Sequence, residues 1–161
     1  MDRNATPGTH PDDLQLTDDA LQLLVEARSE SDRLGHPFIG TEHLVLALTQ
    51  QTDGTAAATL ANLGIDREQV RQTISGMIVS GGLDPAPGTE RPYTTRTMAS
   101  FSFAAECARE LGHTRVGAAH MLVGLMRERM NIGAQVLHRH GLTAESAVAE
   151  IQRRSTEGGS S

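Results

Sequence analysis

The sequence is poor in aromatic, thiol and basic side chains. Its 161 residues include no Trp, one Tyr, three Phe and a single Cys, which excludes an internal disulfide and is typical of a reducing compartment. Fourteen basic residues against 20 acidic ones leave a formal net charge of −6, which disfavours nucleic-acid and anionic-membrane partners. The sequence has no apolar run long enough for a membrane span, and its N-terminus lacks the apolar core of a signal peptide. We therefore expect a soluble, cytoplasmic protein that binds neither nucleic acid nor membrane.

A sequence pattern typical of helices occurs twice in the chain. Residues 34–48 read LGHPFIGTEHLVLAL, and residues 111–125, 77 positions later, read LGHTRVGAAHMLVGL. Between residues 16–74 and 93–151, 13 of 59 aligned pairs are identical, and they fall on helix caps, helix-ending glycines and core positions. A fixed period indicates an internal repeat. We therefore predict an all-α fold of eight helices, built from two four-helix repeats that pack together with pseudo-two-fold symmetry.

Local signals predict where several helices begin and end. Thr17 and Thr94 stand at matching positions and are predicted to cap the first helix of each repeat, because a threonine hydroxyl accepts a hydrogen bond from a first-turn N–H. Thr41 is predicted to cap the second helix in the same way. Gly35 and Gly112 are predicted to end helices, since glycine readily adopts the positive φ of a helix end.

The chain divides by composition into five units. Its polar ends resemble flexible tails, and a central segment rich in Gly and Pro resembles a linker. The predicted units are a disordered tail (1–13), the first repeat (14–79), the linker (80–92), the second repeat (93–154) and a flexible tail (155–161).

The two motifs, with the Arg-Pro-Tyr-Thr at 91–94 that opens the second copy, resemble the double Clp repeat. This is the N-terminal domain of the Clp/Hsp100 unfoldases, and the ClpC type is the nearest match. Unfoldases continue into AAA+ ATPase modules, whose phosphate-binding G-x-x-x-x-G-K-[ST] motif does not occur in this sequence. We expect a monomeric, stand-alone binding protein without a cofactor rather than an enzyme. The alternative is the reception domain of a ClpC-type unfoldase, separated from its motor.

The resemblance also implies ligands. ClpC-type N-terminal domains bind substrates and adaptors, and some bind phosphoarginine, whose guanidinium faces the glutamate of the GTEH motif while threonines near the repeat starts hold the phosphate. This implies one pocket with Thr17 and Glu42, and a degenerate second pocket that keeps only Thr94, because the second motif reads GAAH. A carboxylate such as that of Glu42 is the natural partner of a guanidinium. Glu42 is equally typical of a first-turn charge that only stabilises its helix, and both interpretations stay open.

The family further has an apolar patch between its repeats that accepts cyclic peptide antibiotics and involves an aromatic residue at each repeat start. Tyr93 fits the second of these positions, whereas Leu16 replaces the first aromatic. The resemblance implies a patch formed by Leu14, Leu16, Tyr93 and Met98, in which the leucine weakens antibiotic binding.

The histidines and the cysteine are predicted to be structural. His43 and His120 begin apolar helices and are expected to hold the preceding loops. The pairs His36/His43 and His113/His120 lack the spacing that places two metal ligands side by side, so we expect no metal site. Cys107 has no activating neighbour in the sequence and is predicted to be a packing residue.

Overall fold

A computed structural model describes residues 8–78 and 91–158 of the protein, with the backbone alone for 156–158. The predicted all-α class is confirmed: the described ranges hold eight α-helices and no extended strand. No helix in these ranges has the length and apolar character of a membrane span. The helices are α1 (Asp18–Leu34), α2 (Thr41–Gln50), α3 (Gly54–Asn62), α4 (Arg67–Met77), α5 (Thr95–Glu110), α6 (Ala118–Glu128), α7 (Ile132–Arg139) and α8 (Ala144–Gly158).

Most of the predicted caps are confirmed. Thr17 Oγ1 accepts a hydrogen bond from the backbone N–H of Ala20 at 3.4 Å, and Thr94 Oγ1 accepts one from Thr97 at 3.2 Å. The prediction for α2 is wrong, because its cap is Gly40 and Thr41 is the first helical residue. The Thr41 side chain is buried against the second repeat instead of turning back on its own helix.

The two central helices, α2 and α6, occupy matching positions in the two repeats. Both are apolar on nearly every face, which is typical of a helix surrounded by protein. The helix α6 packs closely along α5 because Gly124 has no side chain. A Cβ at this position would clash with the Ser100 carbonyl oxygen and lie 2.8 Å from the Ala104 nitrogen.

The repeats interlock and share one hydrophobic core. The helix α2 packs against α7 of the other repeat, and α3 packs against α6 and α8. Gly133, at the start of α7, donates its N–H to the Thr41 hydroxyl at 3.4 Å, and a Cβ there would lie 2.7 Å from the Val45 side chain. Neither repeat therefore buries its apolar surface by itself.

Two short β-bridges cross between the repeats. Leu16 pairs with Val116, and Ile39 pairs with Tyr93. Thr17 donates its N–H to the Val116 carbonyl at 3.0 Å, and Thr94 donates to the Ile39 carbonyl at 3.0 Å. The two bridges are related by the 77-residue period, as pseudo-two-fold symmetry requires. The start of each repeat therefore lies against the loop of the other repeat.

The ends of the repeats differ from the predicted boundaries. Residues 8–13 are not a disordered tail: Thr9 donates its N–H to the Met98 carbonyl at 3.1 Å, and Pro11–Asp13 form a 3₁₀ turn. The helix α8 continues through Gly158, past the predicted end of the second repeat at 154. The predictions for residues 1–7, for 79–90 and for 159–161 lie outside the described residues.

Candidate functional site

A pair of hydrogen-bonded histidines holds the loop before α2. Nδ1 of His43 accepts the backbone N–H of Gly40 at 2.8 Å, so the proton of this neutral ring is on Nε2. That Nε2 lies 2.8 Å from Nδ1 of His36, to which it donates. The seven-residue spacing does not predict this contact, which arises because the loop turns back and brings the two rings together. They hold each other by a direct hydrogen bond.

The second loop repeats this arrangement atom for atom. His120 Nδ1 accepts from the Gly117 N–H at 2.8 Å, and its Nε2 lies 2.8 Å from His113 Nδ1. Burial, together with the neighbouring histidine, lowers the pKa of His43 and of His120 from 6.5 to about 4. Both rings are therefore neutral at physiological pH, which fixes the two loops and the helix starts that follow them.

The first of these helix starts carries Glu42. Its carboxylate lies over Gly40, in the space that a Cβ at Gly40 would take. The same loop is bordered by Thr94, because Ile39 receives the Thr94 N–H and donates its own to Pro92 at 2.9 Å. The Thr94 hydroxyl lies 2.8 Å from that of Thr97. We call the group of Glu42, Thr94 and the neighbouring Arg96 the first crossing.

The start of α6 differs in charge from the start of α2. Asp19, on α1 of the other repeat, accepts the backbone N–H of Ala118 at 3.2 Å and also accepts the Thr17 hydroxyl. The position that corresponds to Glu42 is Ala119. An internal carboxylate therefore occupies the first backbone hydrogen-bond donor of this helix. We call the group of Thr17, Asp19 and Ala119 the second crossing.

The second crossing opens into a cavity of about 430 Å³. Besides the residues of the crossing itself, the cavity is lined by Thr114, Arg115 and Arg154. Arg115 donates to the Leu16 carbonyl at 2.8 Å and so helps to hold the bridge next to it. Access to the second crossing is therefore open, although Asp19 already takes the Thr17 hydroxyl and the Ala118 N–H.

The structure does not bring the predicted pair Thr17 and Glu42 together. Thr17 lies against the second motif, and the threonine that shares the first loop with Glu42 is Thr94. The alignment assigns Thr17 and Glu42 to one repeat, whereas the bridges exchange the repeat starts. Sequence reasoning also missed Asp19, whose counterpart 77 positions later is Arg96. This reversal of charge between the copies was the available signal.

The residues of the predicted apolar patch lie along the two bridges and on α5. Leu16 and Tyr93 each form one bridge, and both are half-buried, as are Leu14 and Met98. The Tyr93 ring packs edge-on against Phe101, with ring centroids 5.3 Å apart.

A short N-terminal segment covers part of this patch. The His10 ring packs edge-on against the Tyr93 ring, with centroids 5.6 Å apart, and the Thr9 hydroxyl lies 2.6 Å from that of Ser102. Burial raises the pKa of Tyr93. The patch is therefore partly occupied by the chain itself.

Comparison with known proteins identifies several relatives of similar sequence. Chaperone protein ClpB of Oceanobacillus iheyensis is 33% identical over 137 residues, which are 85% of this chain and 17% of that protein. The chloroplastic chaperone protein ClpC1 of Arabidopsis thaliana is 33% identical over 139 residues, which are 86% of this chain and 15% of that protein. The chain thus spans about a sixth of the length of these relatives.

Solved structures show the same fold. The N-terminal domain of the ClpD chaperone from Arabidopsis thaliana superposes with a TM-score of 0.68 at 22% identity, covering 87% of this chain and 96% of that one. A ClpV N-domain in complex with a VipB peptide superposes with a TM-score of 0.64 at 15% identity, covering 84% and 88%. Residues 15–151 match the family described as the Clp repeat (R) N-terminal domain. The chain belongs to this family of Clp repeat N-terminal domains.

Proposed function

We propose that this chain is a reception domain that binds polypeptide segments of substrates or adaptors of Clp proteolysis. Its ligand site is the first crossing, and phosphoarginine-marked segments are its preferred ligands. The single observation that carries the proposal is that Asp19 takes the first backbone N–H of α6 at the second crossing, whereas the matching residue of the first crossing is Arg96, which is paired with Glu128.

The chemistry of the first crossing suits a ligand that carries a cation and an anion together. The Glu42 carboxylate offers a charge-assisted partner to a guanidinium. The N-terminus of α2 and the half-buried hydroxyl of Thr94 suit a phosphate, because helix N-termini and hydroxyl donors favour anions. Arg96, at the position that corresponds to Asp19, is paired with Glu128 at 3.0 Å, so the first crossing has no carboxylate at that position.

The second crossing does not suit this ligand. Asp19 already accepts both the Thr17 hydroxyl and the Ala118 N–H, so a negative charge stands at the start of α6 even though Arg115 and Arg154 line the same cavity. Ala119 offers no carboxylate to a guanidinium. We therefore propose one phosphoarginine site per chain, formed by Glu42 and Thr94, in place of the sequence-predicted pair of Thr17 and Glu42.

Two further features support a role in binding polypeptides. A protein of the same fold, a ClpV N-domain, forms a complex with a VipB peptide. The half-buried patch along the bridges offers apolar side chains between the repeats, where we propose that cyclic peptide antibiotics bind weakly, because Leu16 replaces an aromatic residue.

As a stand-alone protein, the chain would act as a decoy, a sequestering protein or an accessory adaptor. As part of a longer unfoldase, it would deliver the same ligands to the motor.

Titration calorimetry with free phosphoarginine and with a phosphoarginine-containing peptide tests the proposal. We expect one site in the wild-type protein and loss of binding in Glu42→Ala. The matched control is Glu68→Ala, which removes an exposed first-turn carboxylate from α4 and should leave binding unchanged. Absence of wild-type binding, or equal binding by Glu42→Ala, would show that Glu42 is only a helix-start charge.

A pull-down of Clp components and a downstream reading frame separate the two roles. Capture of an intact Clp unfoldase or its substrates by the isolated chain supports the stand-alone role. An AAA+ module encoded in the same frame assigns the chain to an unfoldase.

A further inference from the structure

A large cavity lies on the outer face of the second repeat, and it shares no lining residue with the cavity at the second crossing. It encloses about 1270 Å³ between α5, α6, α7 and α8. Its floor is apolar and includes Phe103, Met126, Leu142 and Val148. We call this cavity the repeat-2 groove.

The matching place in the first repeat is filled by two arginines of α4. The Arg71 guanidinium donates to the Leu46 carbonyl and to the Thr49 hydroxyl, both at 3.2 Å, and lies 3.6 Å from the buried carboxylate of Glu30. Arg67 reaches across to the Gln51 carbonyl. These side chains connect α4 to α1 and to the end of α2. The space between α4 and the end of α2 is therefore filled.

The second repeat replaces this polar network with small or apolar residues. At the 77-residue period, Arg71 becomes Val148, Arg67 becomes Ala144, Glu30 becomes Cys107 and Thr49 becomes Met126. Val148 and Ala144 therefore cannot make the hydrogen bonds by which Arg71 and Arg67 bridge the matching space in the first repeat. The groove is the direct result of these substitutions.

One wall of the groove is basic, although the whole chain is acidic. The end of α6 and the helix α7 contribute Arg127, Arg129, His138 and Arg139. Arg127 is paired with Glu110 at 2.8 Å. Within the described ranges, Arg129 and Arg139 have no side-chain partner, and both are exposed. Glu106 and Glu145 border the groove from α5 and α8, so the free positive charge is confined to the α6–α7 wall.

The backbone fixes Arg129 on this wall. Among the described non-glycine residues it alone has a positive φ, 71°, a conformation that costs energy for a residue with a Cβ. The buried Asn131 holds the turn by donating to the Leu125 carbonyl at 3.0 Å and to the Glu128 carboxylate at 2.9 Å. The guanidinium is therefore presented on a rigid turn.

We propose that the repeat-2 groove binds an acidic amphipathic helix of a partner protein. The apolar stripe of that helix would lie on the floor between α5 and α8, as in other helix-in-groove complexes, and its carboxylates would face Arg129 and Arg139. The proposal rests on the proposed function only in taking the partner to be a polypeptide. It adds a second contact surface, independent of the first crossing.

A synthetic peptide tests the charge and shape of the groove. The probe is an acidic helix of about 14 residues, or four turns, with Leu at i, i+3, i+4 and i+7 and flanking Glu, and its matched control carries Lys in place of Glu. We expect the wild-type protein to bind the acidic peptide and to discriminate against the basic one. The double variant R129E/R139E should weaken binding of the acidic peptide by about tenfold or more and should improve binding of the basic peptide.

A second variant tests the groove without changing the exposed arginines. Ala144→Arg places in the groove the arginine that the first repeat has at the matching position, Arg67, and should also weaken binding of the acidic peptide by about tenfold. Arg109→Glu, an exposed arginine of α5 outside the groove, is the matched control and should bind like wild type. Circular dichroism melts identify any variant that fails to fold.

The outcomes separate this proposal from the phosphoarginine site. Absence of wild-type binding, preference for the basic peptide, or equal affinity in R129E/R139E and R109E overturns the groove proposal. The groove proposal is also overturned if the backbone amide NMR signals that shift on addition of the peptide belong to residues around Tyr93 and Glu42 instead of to α6–α8. Phosphoarginine titration of R129E/R139E should be unaffected, whereas Glu42→Ala should lose phosphoarginine but keep the peptide, so each proposal fails separately.

Discussion

Asp19 of the first repeat accepts the backbone N–H of Ala118, the first helical residue of α6 in the second repeat, at 3.2 Å. The two residues are 99 positions apart, and the contact exists because the Leu16–Val116 bridge carries the start of α1 to the second loop. A carboxylate at a helix N-terminus accepts a hydrogen bond from a backbone N–H that has no partner within the helix. Its negative charge also interacts favourably with the positive end of the helix dipole. We propose that the same carboxylate prevents a phosphate from binding at this helix start.

The first prediction follows from this contact. The double variant Asp19→Arg with Ala119→Glu gives the second crossing the residues of the first, and we expect calorimetry to report two phosphoarginine sites per chain instead of one. The single variant Asp19→Arg is the control, because it removes the blocking carboxylate without supplying a partner for the guanidinium. A stoichiometry that stays at one in the double variant would contradict the role of Asp19 as the blocking group.

The fold could be predicted from the sequence because its signals are local and repeated. The helix-ending Gly35 and Gly112, both at positive φ in the structure, follow from short-range patterns. The composition of the ligand site could not be predicted in the same way. Whether Thr17 meets Glu42 or the second motif depends on how the repeats pack, and two bridges joining residues 54 and 100 positions apart decide it.

The groove of the second repeat illustrates the same limit. The exchange of Arg71 for Val148 is visible in the alignment, but a cavity results only if no other side chain fills the space. Likewise, the histidine pairs were predicted to hold the loops, yet their direct contact depends on the path of the loop between them. Long-range packing determines both features.

The second prediction concerns acid stability. The pKa of His43 and of His120 is about 4 in the folded protein and 6.5 in the unfolded chain, because burial and the neighbouring histidine outweigh Glu30 and Asp19. Between pH 6.5 and 4 the unfolded state therefore binds protons that the folded state does not, so the free energy of unfolding should fall as the pH falls through this range. Above pH 6.5 these two groups should cause no pH dependence.

Urea denaturation at pH 7.5, 6.0, 5.0 and 4.5 measures this effect. The control is His120→Gln, which keeps an acceptor for the Gly117 N–H but cannot be protonated, and its unfolding free energy should depend less steeply on pH. Equal slopes for the variant and the wild type would show that other groups control the acid sensitivity.

The third prediction concerns the close packing of α5 and α6. Gly124→Ala places a methyl group against the Ser100 carbonyl and the Ala104 nitrogen, which are backbone atoms and cannot move aside without shifting a helix. We expect destabilisation of about 1–3 kcal/mol. Gly76→Ala in α4 is the matched control, because no atom lies within 4 Å of its Cβ position, and it should stabilise the protein by up to about 1 kcal/mol. Equal unfolding midpoints for the two variants would contradict the packing described for α5 and α6.

The fourth prediction concerns the segment that covers Tyr93. The Thr9 contacts to Met98 and Ser102, and the packing of His10 on the Tyr93 ring, compete with any ligand of the apolar patch. Replacing Thr9 and His10 by Gly removes the hydroxyl bond to Ser102 and the ring that covers Tyr93, and leaves the backbone bond to Met98 in place. The affinity for a cyclic peptide should rise by roughly 2–10-fold, since a hydrogen bond of about 0.5–1.5 kcal/mol no longer opposes binding.

Intrinsic fluorescence measures this binding directly, because the chain has one Tyr and no Trp, so the signal comes from Tyr93 alone. Asp13→Gly is the control, since that exposed residue lies in the same segment but away from the ring. Unchanged Tyr93 emission and unchanged peptide affinity in the Thr9/His10 variant would show that the segment does not restrict access to the patch. A gain in affinity confined to that variant would identify residues 9–10 as an internal competitor of the ligand.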